Sequence, residues 1–241
     1  IDPWPPGAYD DFVDRNTRLT RCLAYYREDP ADNGYARPIE GVVAVVDLAT
    51  AEVLAVEDHG VVALPEDPGR YDAEHVGPLR DDLKPLEIHQ PEGVSFTVEG
   101  NHLAWQRWDL RVGLDPVEGL VLYDVGYRDA DRRRPILHRA SLSEMVVPYG
   151  STDPTHRWKN AFDAGEWGLG RFVNSLKLGC DCLGEITYLD AVMADEQGNP
   201  TVVEQAICIH EEDDGIAWKH HDLNTGNVEV RRSRRFVVSS I

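Results

Sequence analysis

The chain has 241 residues, of which 42% are hydrophobic, enough for one large domain or for two. It carries 43 acidic residues against 24 basic ones, and the resulting net charge of −19 repels phosphate groups, which argues against nucleic acid or an anionic membrane as a partner. No apolar stretch approaches the roughly 20 residues needed to cross a bilayer.

The first residues, IDPWPPG, are neither a methionine start nor a secretory signal. They therefore indicate no compartment, and we expect the natural N-terminus to lie upstream. Only four of the basic residues are Lys, and Asp is abundant, which is typical of a bacterial, GC-rich source. We expect a cytoplasmic protein, with a periplasmic or secreted location as the alternative.

The first third of the chain predicts one helix and one hairpin. Residues 9–29 carry apolar side chains at helical spacing: Phe12, Leu19, Cys22, Leu23 and Tyr26. Acids lie early in this segment and Arg later, which suits the helix dipole. Residues 41–60 contain two apolar runs around a polar break, which is typical of a β-hairpin. The sequence therefore predicts a small α+β domain over residues 1–80, incomplete at its N-terminus, and a proline-marked linker over residues 81–96.

From residue 97 to residue 241 the pattern changes to short strand-like runs separated by turns such as DEQGNP. This pattern predicts part of a large antiparallel β-sandwich. Because the last run reaches Ile241 without a turn after it, we expect more polypeptide to follow or to dock there. The basic run RRSRR at 231–235 lies in that last run, and we interpret it as a solvated or ion-paired strand rather than a nucleic-acid site.

The four cysteines are Cys22, Cys180, Cys182 and Cys208. Cys180 and Cys182 are neighbours in a C-x-C sequence and pair poorly with each other. The plausible disulfide therefore joins Cys208 to one of these two. Closing a loop of about 26 residues would stabilise the fold by about 3.5 kcal/mol in the chain-entropy model. A metal site formed by these cysteines with His210 is the alternative, but it lacks the C-x-x-C spacing of zinc sites.

One acid has an unusual setting. In RWKNAFDAGEWGLG at 157–170, Asp163 stands among Trp158, Phe162 and Trp167, with three glycines close behind. Ionised carboxylates are costly to bury and are rarely found unpaired away from water. Asp163 either caps a turn at the surface or has a chemical role.

Several long motifs carry a resemblance to a known family. They are RPILHRASLSEMVVPYG at 134–150, THRWKNAFDAGEWGLG at 155–170, NSLKLGCDCLGEITYLDAV at 174–192 and AICIHEEDDGIAWKH at 206–220. The earlier stretches DPWPPG, QPEGVSFTVEGN and WQRWDLRVGLDPVEGLVLYDVGYRD fit as well. Nearly end to end, the chain resembles the copper-containing primary amine oxidases. Such enzymes oxidise a primary amine to an aldehyde with release of ammonia and hydrogen peroxide, using O2, copper and topaquinone, a quinone made from a tyrosine of the chain.

The resemblance implies roles for individual residues. The family's base, which removes the proton from the carbon next to the amine nitrogen, falls on Asp163. Burial among Trp and Phe would disfavour the charged carboxylate and make it a better base. Tyr149 matches a tyrosine that hydrogen-bonds the quinone oxygen. Ala161 replaces an aromatic gate of the substrate channel, and Phe162 and Trp4 are expected along that channel.

The resemblance also implies a disulfide between Cys182 and Cys208, with Cys180 and Cys22 left as free core thiols. The family's copper histidines occur in an H-x-H pair and a later single His, so His210, His220 and His221 are not expected to bind copper. The quinone tyrosine, in a T-x-x-N-Y-[D/E] motif, and the copper ligands are both expected outside residues 1–241. Residues 97–241 would then be the N-terminal half of the catalytic β-sandwich domain.

Three accounts of the chain remain open at this point. It is one subunit of a split enzyme whose second polypeptide supplies the quinone and copper, or a fragment of a longer chain, or a non-catalytic relative that binds an amine or a partner. The resemblance favours the first two, because a binding module needs no base, and it implies a dimer of such units.

Overall fold

The computed structural model describes residues 1–5 and 18–241. The chain folds into two compact units. The first unit comprises Ile1–Lys84 and Val146–Ala161, and the second comprises Pro85–Met145 and Phe162–Ile241. The sequence-based boundaries at residues 80 and 96 stay a prediction.

The first unit is built on a four-stranded antiparallel sheet in the order β1-β2-β3-β4. Its strands are β1 (Asp2–Trp4), β2 (Leu19–Leu23), β3 (Val42–Asp47) and β4 (Glu52–Asp58), followed by the one-turn helix α1 (Ala73–Val76). Strands β3 and β4 form the predicted hairpin, with Val42 opposite Asp58 and Asp47 opposite Glu52. Alternation places Val43 and Val45 of β3 on the buried face.

The predicted helix is wrong over Leu19–Leu23, which form strand β2. This strand lies between β1 and β3, and four of its five residues are buried, so its side chains are covered on both faces. A strand covered on both faces has no polar–apolar alternation, and its apolar residues can coincide with helical spacing. The earlier part of the predicted helix, with Phe12, lies outside the described residues, and Tyr26 follows the strand.

The second unit contains two larger antiparallel sheets. A five-stranded sheet has the order β5-β6-β7-β8-β9, and a three-stranded sheet has the order β12-β13-β14. Their strands are β5 (Phe96–Glu99), β6 (His102–Trp105), β7 (Trp108–Asp115), β8 (Gly119–Asp129), β9 (Arg132–Ala140), β12 (Thr187–Ala194), β13 (Pro200–His221) and β14 (Val228–Ser239). The remaining strands, β10 (Val146–Pro148) and β11 (Asn160–Phe162), form a separate two-stranded sheet.

The sandwich core lies between the five-stranded and the three-stranded sheets. One buried cluster joins residues of both sheets: Phe96, Leu103, Leu110, Val112, Val125, Ile207 and Ile209. Phe236 of β14 stacks on Trp105 of β6, with ring centroids 5.3 Å apart. The predicted antiparallel sandwich is thus confirmed, although β13 is not a short run but one bulged strand of 22 residues.

Arginines of β14 pair with acids of the neighbouring strand β13. Arg232 pairs with Asp213, and Arg235 lies 2.6 Å from Asp214. Both strands are largely exposed at these positions, so the pairs are solvated. This confirms the interpretation of RRSRR as an ion-paired strand.

Glu211 of β13 is a buried carboxylate in the second unit. Its Oε2 accepts hydrogen bonds from Gln90 Nε2 at 2.6 Å and from the Ser95 amide at 2.8 Å, and its Oε1 accepts one from Trp105 Nε1 at 2.9 Å. Burial by itself raises the pKa of Glu211, but these hydrogen bonds and the Arg234 charge outweigh it and lower that pKa to about 2. The segment predicted as a linker is therefore tied to the sandwich through Gln90 and Ser95.

Candidate active site

Asp163 opens a single helical turn, α2 (Asp163–Glu166), directly after strand β11. The amides of Trp167 and Gly168 both donate to the Asp163 carbonyl, at 3.3 and 3.1 Å. Gly168 ends the turn with a φ of +85°, a conformation that favours glycine. The chain then enters a 3₁₀ turn, Leu169–Phe172, whose first amide donates to the Val117 carbonyl at 2.8 Å.

The carboxylate of Asp163 is half-buried. Among residues 1–5 and 18–241, no donor group forms a hydrogen bond or an ion pair with it. A cationic partner would stabilise the charged form of a carboxylate and weaken it as a base. The arrangement therefore leaves Asp163 free to accept a proton from another molecule.

The aromatic enclosure expected around Asp163 does not form within the described part of this chain. Phe162 and Trp167 are 44% and 50% exposed. Trp158 is buried, but it packs with Leu23 and Val43 in the core of the first unit. The alternation of β11 explains part of the difference, because it turns Ala161 inward and Phe162 outward.

Sequence reasoning did not identify Glu144, which lies 19 residues before Asp163. Its carboxylate accepts hydrogen bonds from the amides of Ala164 at 2.9 Å and Gly165 at 3.1 Å. The neighbouring carbonyl of Met145 accepts the Asp163 amide at 3.0 Å. No spacing rule links residues that far apart, so only the fold shows this contact.

Glu166 lies at the end of the same turn and is another acid near Asp163. Burial raises the pKa of Glu166, and the charges of Asp163 and Glu144 raise it further, against a backbone hydrogen bond at Phe162 that lowers it. The three acids thus form a local concentration of negative charge in the second unit, which favours a cationic ligand such as an ammonium group.

Tyr149 and Trp4 lie in contact in the first unit. Their rings meet edge to face with centroids 5.3 Å apart. The Nζ of Lys159 lies 4.2 Å from the Trp4 ring centroid and 4.5 Å from that of Tyr149. Trp4 also donates from Nε1 to Asp2 at 2.7 Å. The role of Lys159 was missed from the sequence, since a lone Lys carries no motif.

The residues that the resemblance assigns to the channel divide between the two units. Ala161 belongs to the first unit with Tyr149 and Trp4, whereas Phe162 and Asp163 belong to the second. The Ala161 side chain is buried, with 5% exposure, so its methyl group is packed rather than open to solvent. A larger side chain at residue 161 would therefore have to displace its neighbours.

Cys182 and Cys208 form a disulfide, 26 residues apart in sequence. It lies in a buried cluster with Leu176, next to Ile186 and Tyr188. Cys22 and Cys180 are free, but Cys180 is exposed and Cys22 only half-buried, so the expectation of core thiols is wrong for Cys180. Cys180 stands in the turn between Lys177 and Cys182, where the chain runs along the surface.

Two groups of potential metal ligands occur within residues 1–5 and 18–241. Cys182, Cys208 and His210 form one, but both sulfur atoms are consumed by the disulfide. Asp72, which precedes α1, and Glu74 and His75 of α1 form the other group, which is exposed and holds a single histidine. Neither matches a three-histidine copper site, so the described residues do not fit that metal. No helix in this part of the chain is long and apolar enough to span a membrane.

The comparisons with known proteins all match amine oxidases. The model of the copper amine oxidase enzyme domain matches residues 97–241, and that of the copper amine oxidase N3 domain matches residues 1–74. Histamine oxidase of Arthrobacter globiformis is 53% identical over 99% of this chain, and a primary amine oxidase of Arthrobacter sp. (strain P1) is 50% identical over all of it.

Solved structures agree with the sequence comparison. The copper-containing benzylamine oxidase from Hansenula polymorpha superposes with a TM-score of 0.79 over 98% of this chain, at 35% identity. The chain covers 38% of that structure, and 35% and 37% of the two Arthrobacter proteins. It thus spans little more than a third of the length of its relatives. These matches show that the chain belongs to the copper amine oxidase family.

Proposed function

We propose that this chain forms the proton-accepting part of an enzyme that oxidises primary amines. The overall reaction converts a primary amine, O2 and water into an aldehyde, ammonia and hydrogen peroxide. The family membership supports the reaction class, and the names of the relatives, which include histamine, primary amine and benzylamine oxidases, support a primary amine as substrate.

One observation carries the assignment of Asp163 as the base. Its carboxylate is half-buried and has no donor among the described residues, while the backbone that bears it is held by hydrogen bonds to the Glu144 side chain and the Met145 carbonyl. A general base needs a free acceptor oxygen in a fixed position. In the proposed reaction Asp163 takes the proton from the carbon next to the amine nitrogen and holds it on a carboxylate oxygen.

The other residues are proposed to bind the amine and to orient the reacting groups. The ring of Tyr149 contacts Trp4 and Lys159, and its hydroxyl is proposed as a hydrogen-bond partner for the reacting group. Phe162 and Trp4 are proposed to line the route of the amine, and Ala161, although packed, is proposed to narrow that route less than an aromatic side chain would. The acidic groups around α2 attract the ammonium form of the substrate.

The electron acceptor and the metal are proposed to be held by polypeptide outside residues 1–241, since the described residues do not fit a copper site. That polypeptide is either a continuation of this chain or a second subunit, and we propose that the complete units form a dimer. Intact mass of every polypeptide in the purified copper-loaded enzyme distinguishes the two: one mass near three times 27.0 kDa supports a single chain, and two masses support a split enzyme.

The activity is tested with the complete, copper-loaded enzyme and the variant Asp163→Asn. We expect aldehyde and hydrogen peroxide in equal amounts from the parent enzyme, and a steady-state rate lower by about 10²- to 10⁴-fold in the variant. Asp214→Asn, which removes an exposed acid of β13, is the control and should keep the parent rate. A parent enzyme that forms no hydrogen peroxide from any primary amine would refute the proposed function.

A further inference from the structure

We propose that Glu144 is a positioning residue that fixes the orientation of the Asp163 carboxylate by binding the amides of the turn that carries it. The inference rests on the proposed role of Asp163 as the base. It adds a residue to which no motif assigns a task and whose carboxylate binds backbone amides.

The first amides of a helix have no partner within the helix and must find one elsewhere. In α2 the 144–145 segment supplies partners for the first three. Met145 accepts the Asp163 amide through its carbonyl at 3.0 Å, and Glu144 accepts the Ala164 and Gly165 amides through Oε1 and Oε2, at 2.9 and 3.1 Å. The side chain of Phe162, the N-cap residue, supplies no capping hydrogen bond.

The geometry of Glu144 favours a fixed clamp over an incidental contact. Its two oxygens bind consecutive amides, and Oε1 also accepts the Met145 amide at 2.9 Å, which holds the carboxylate in one orientation. Hydrogen bonds to a charged acceptor are stronger than neutral ones. A Cβ atom on Gly165 would lie only 3.0 Å from Glu144 Oε2, so the absence of a side chain at residue 165 permits this approach.

The consequence for catalysis follows from the shortness of the turn. A turn of four residues has little internal hydrogen bonding to hold its first side chain. Displacement of a reacting group by about 1 Å can lower a rate by about 100-fold. Loss of the clamp should therefore lower kcat through Asp163, whereas the loss of the Glu144 charge, which Glu144→Gln shares, should appear in KM.

The test compares Glu144→Ala, Glu144→Gln and the control Asp195→Ala in the complete copper-loaded enzyme. Asp195 is a matched control because its carboxylate also accepts two backbone amides, those of Gln197 at 2.9 Å and Asn199 at 2.7 Å, in a turn of the sandwich. We expect kcat to fall by about 100-fold in Glu144→Ala, by less in Glu144→Gln, which keeps one acceptor oxygen, and not at all in Asp195→Ala.

A readout independent of turnover is amide hydrogen exchange of the peptide containing residues 162–168. Exchange should accelerate in Glu144→Ala and stay at the parent rate in Asp195→Ala. If Glu144→Ala does not fold, Gly165→Ala serves instead, because its methyl group displaces the carboxylate and should produce the same changes. Unchanged exchange in this peptide, or a kcat within threefold of the parent, would overturn the proposal.

A double variant separates this proposal from the role of Asp163. In the Asp163→Asn background, Glu144→Ala should cause no further loss of kcat, because the base that it positions is already absent. An equal loss in both backgrounds would mean that Glu144 acts independently and would overturn the inference. If Asp163→Asn itself keeps the parent rate, the proposed base is wrong, whereas the exchange measurement still decides whether Glu144 holds the turn.

Discussion

The ammonium group of Lys159 lies 4.5 Å from the ring centroid of Tyr149 and 4.2 Å from that of Trp4. The aromatic rings replace part of the water around the charge. This loss of hydration lowers the pKa of Lys159, with the Asp2 charge acting in the opposite direction. Lys159 thus connects the two aromatic side chains that the family resemblance assigns to the channel.

The first prediction concerns this cluster. Lys159→Met keeps the aliphatic length and removes the cation, so each cation–π contact, worth about 0.5–1 kcal/mol at a partly exposed site, is lost. We expect a melting temperature lower by about 2–4 °C and a several-fold lower kcat, because Tyr149 is less firmly held. Lys177→Met, at an exposed lysine, is the control. Equal melting temperatures and rates in the two variants would contradict the prediction.

The second prediction is a pH dependence of stability through Glu211. Its folded pKa of about 2 lies below the ordinary value near 4.5, so the unfolded chain binds the proton more tightly. The stabilisation is present above the unfolded pKa and is lost as the pH falls from about 4.5 through 2. By linkage it amounts to roughly 3 kcal/mol.

Glu211→Gln should remove that stabilisation and flatten the dependence of the unfolding free energy on pH below about 4.5. Urea unfolding at a series of pH values measures the free energy of unfolding, and Glu196→Gln, at an exposed residue, is the control. A Glu211→Gln curve parallel to that of the control would show that the buried carboxylate does not carry the effect.

The third prediction concerns the disulfide. Replacing both Cys182 and Cys208 by Ser should lower the free energy of unfolding by about 3–4 kcal/mol, the value for a loop of this length, and should leave polar groups in a buried cluster. Cys180→Ser, at an exposed thiol, should change little. Thermal unfolding of the parent and the variants is measured with and without a thiol reductant. A melting temperature that neither the double substitution nor the reductant lowers would count against a stabilising bridge.

The fourth prediction concerns substrate range. Ala161→Phe should lower kcat/KM for bulky amines relative to methylamine, because a larger side chain projects toward the proposed channel. Since the Ala161 methyl group is buried, the variant should also lose about 1–3 kcal/mol of stability. Ala161→Val is the intermediate control for size. An unchanged ratio of kcat/KM values across the amine series would place Ala161 away from the substrate.

Part of the fold could be predicted from the sequence because the residue patterns that indicate it are local. The alternation of β3 and β4 around a polar break predicts their hairpin, and the short runs after residue 97 predict the sandwich. The strand Leu19–Leu23 could not be predicted, because burial on both faces removes the polar–apolar alternation that marks a strand. Tertiary burial, not local propensity, decides its structure.

The candidate site shows the same division. The residues around Asp163 mark it as unusual, but its role and that of Tyr149 could be predicted only through motifs shared with a family. Glu144 binds amides 20 and 21 positions further along the chain. Lys159 contacts the rings of Tyr149 and Trp4, of which Trp4 is distant in sequence. The order of residues in the chain does not reveal these contacts. The exposure of Phe162 and Trp167 likewise depends on what surrounds the turn.

The most direct test of the account is the rate at which the hydrogen on the carbon next to the amine nitrogen is released to water in a single turnover without O2. The complete enzyme and its Asp163→Asn variant are mixed with an amine labelled with deuterium at that carbon. If Asp163 is the base, release should be slower by at least about 100-fold in the variant, with the amine still bound. Release within tenfold of the parent rate would contradict Asp163 as the proton acceptor.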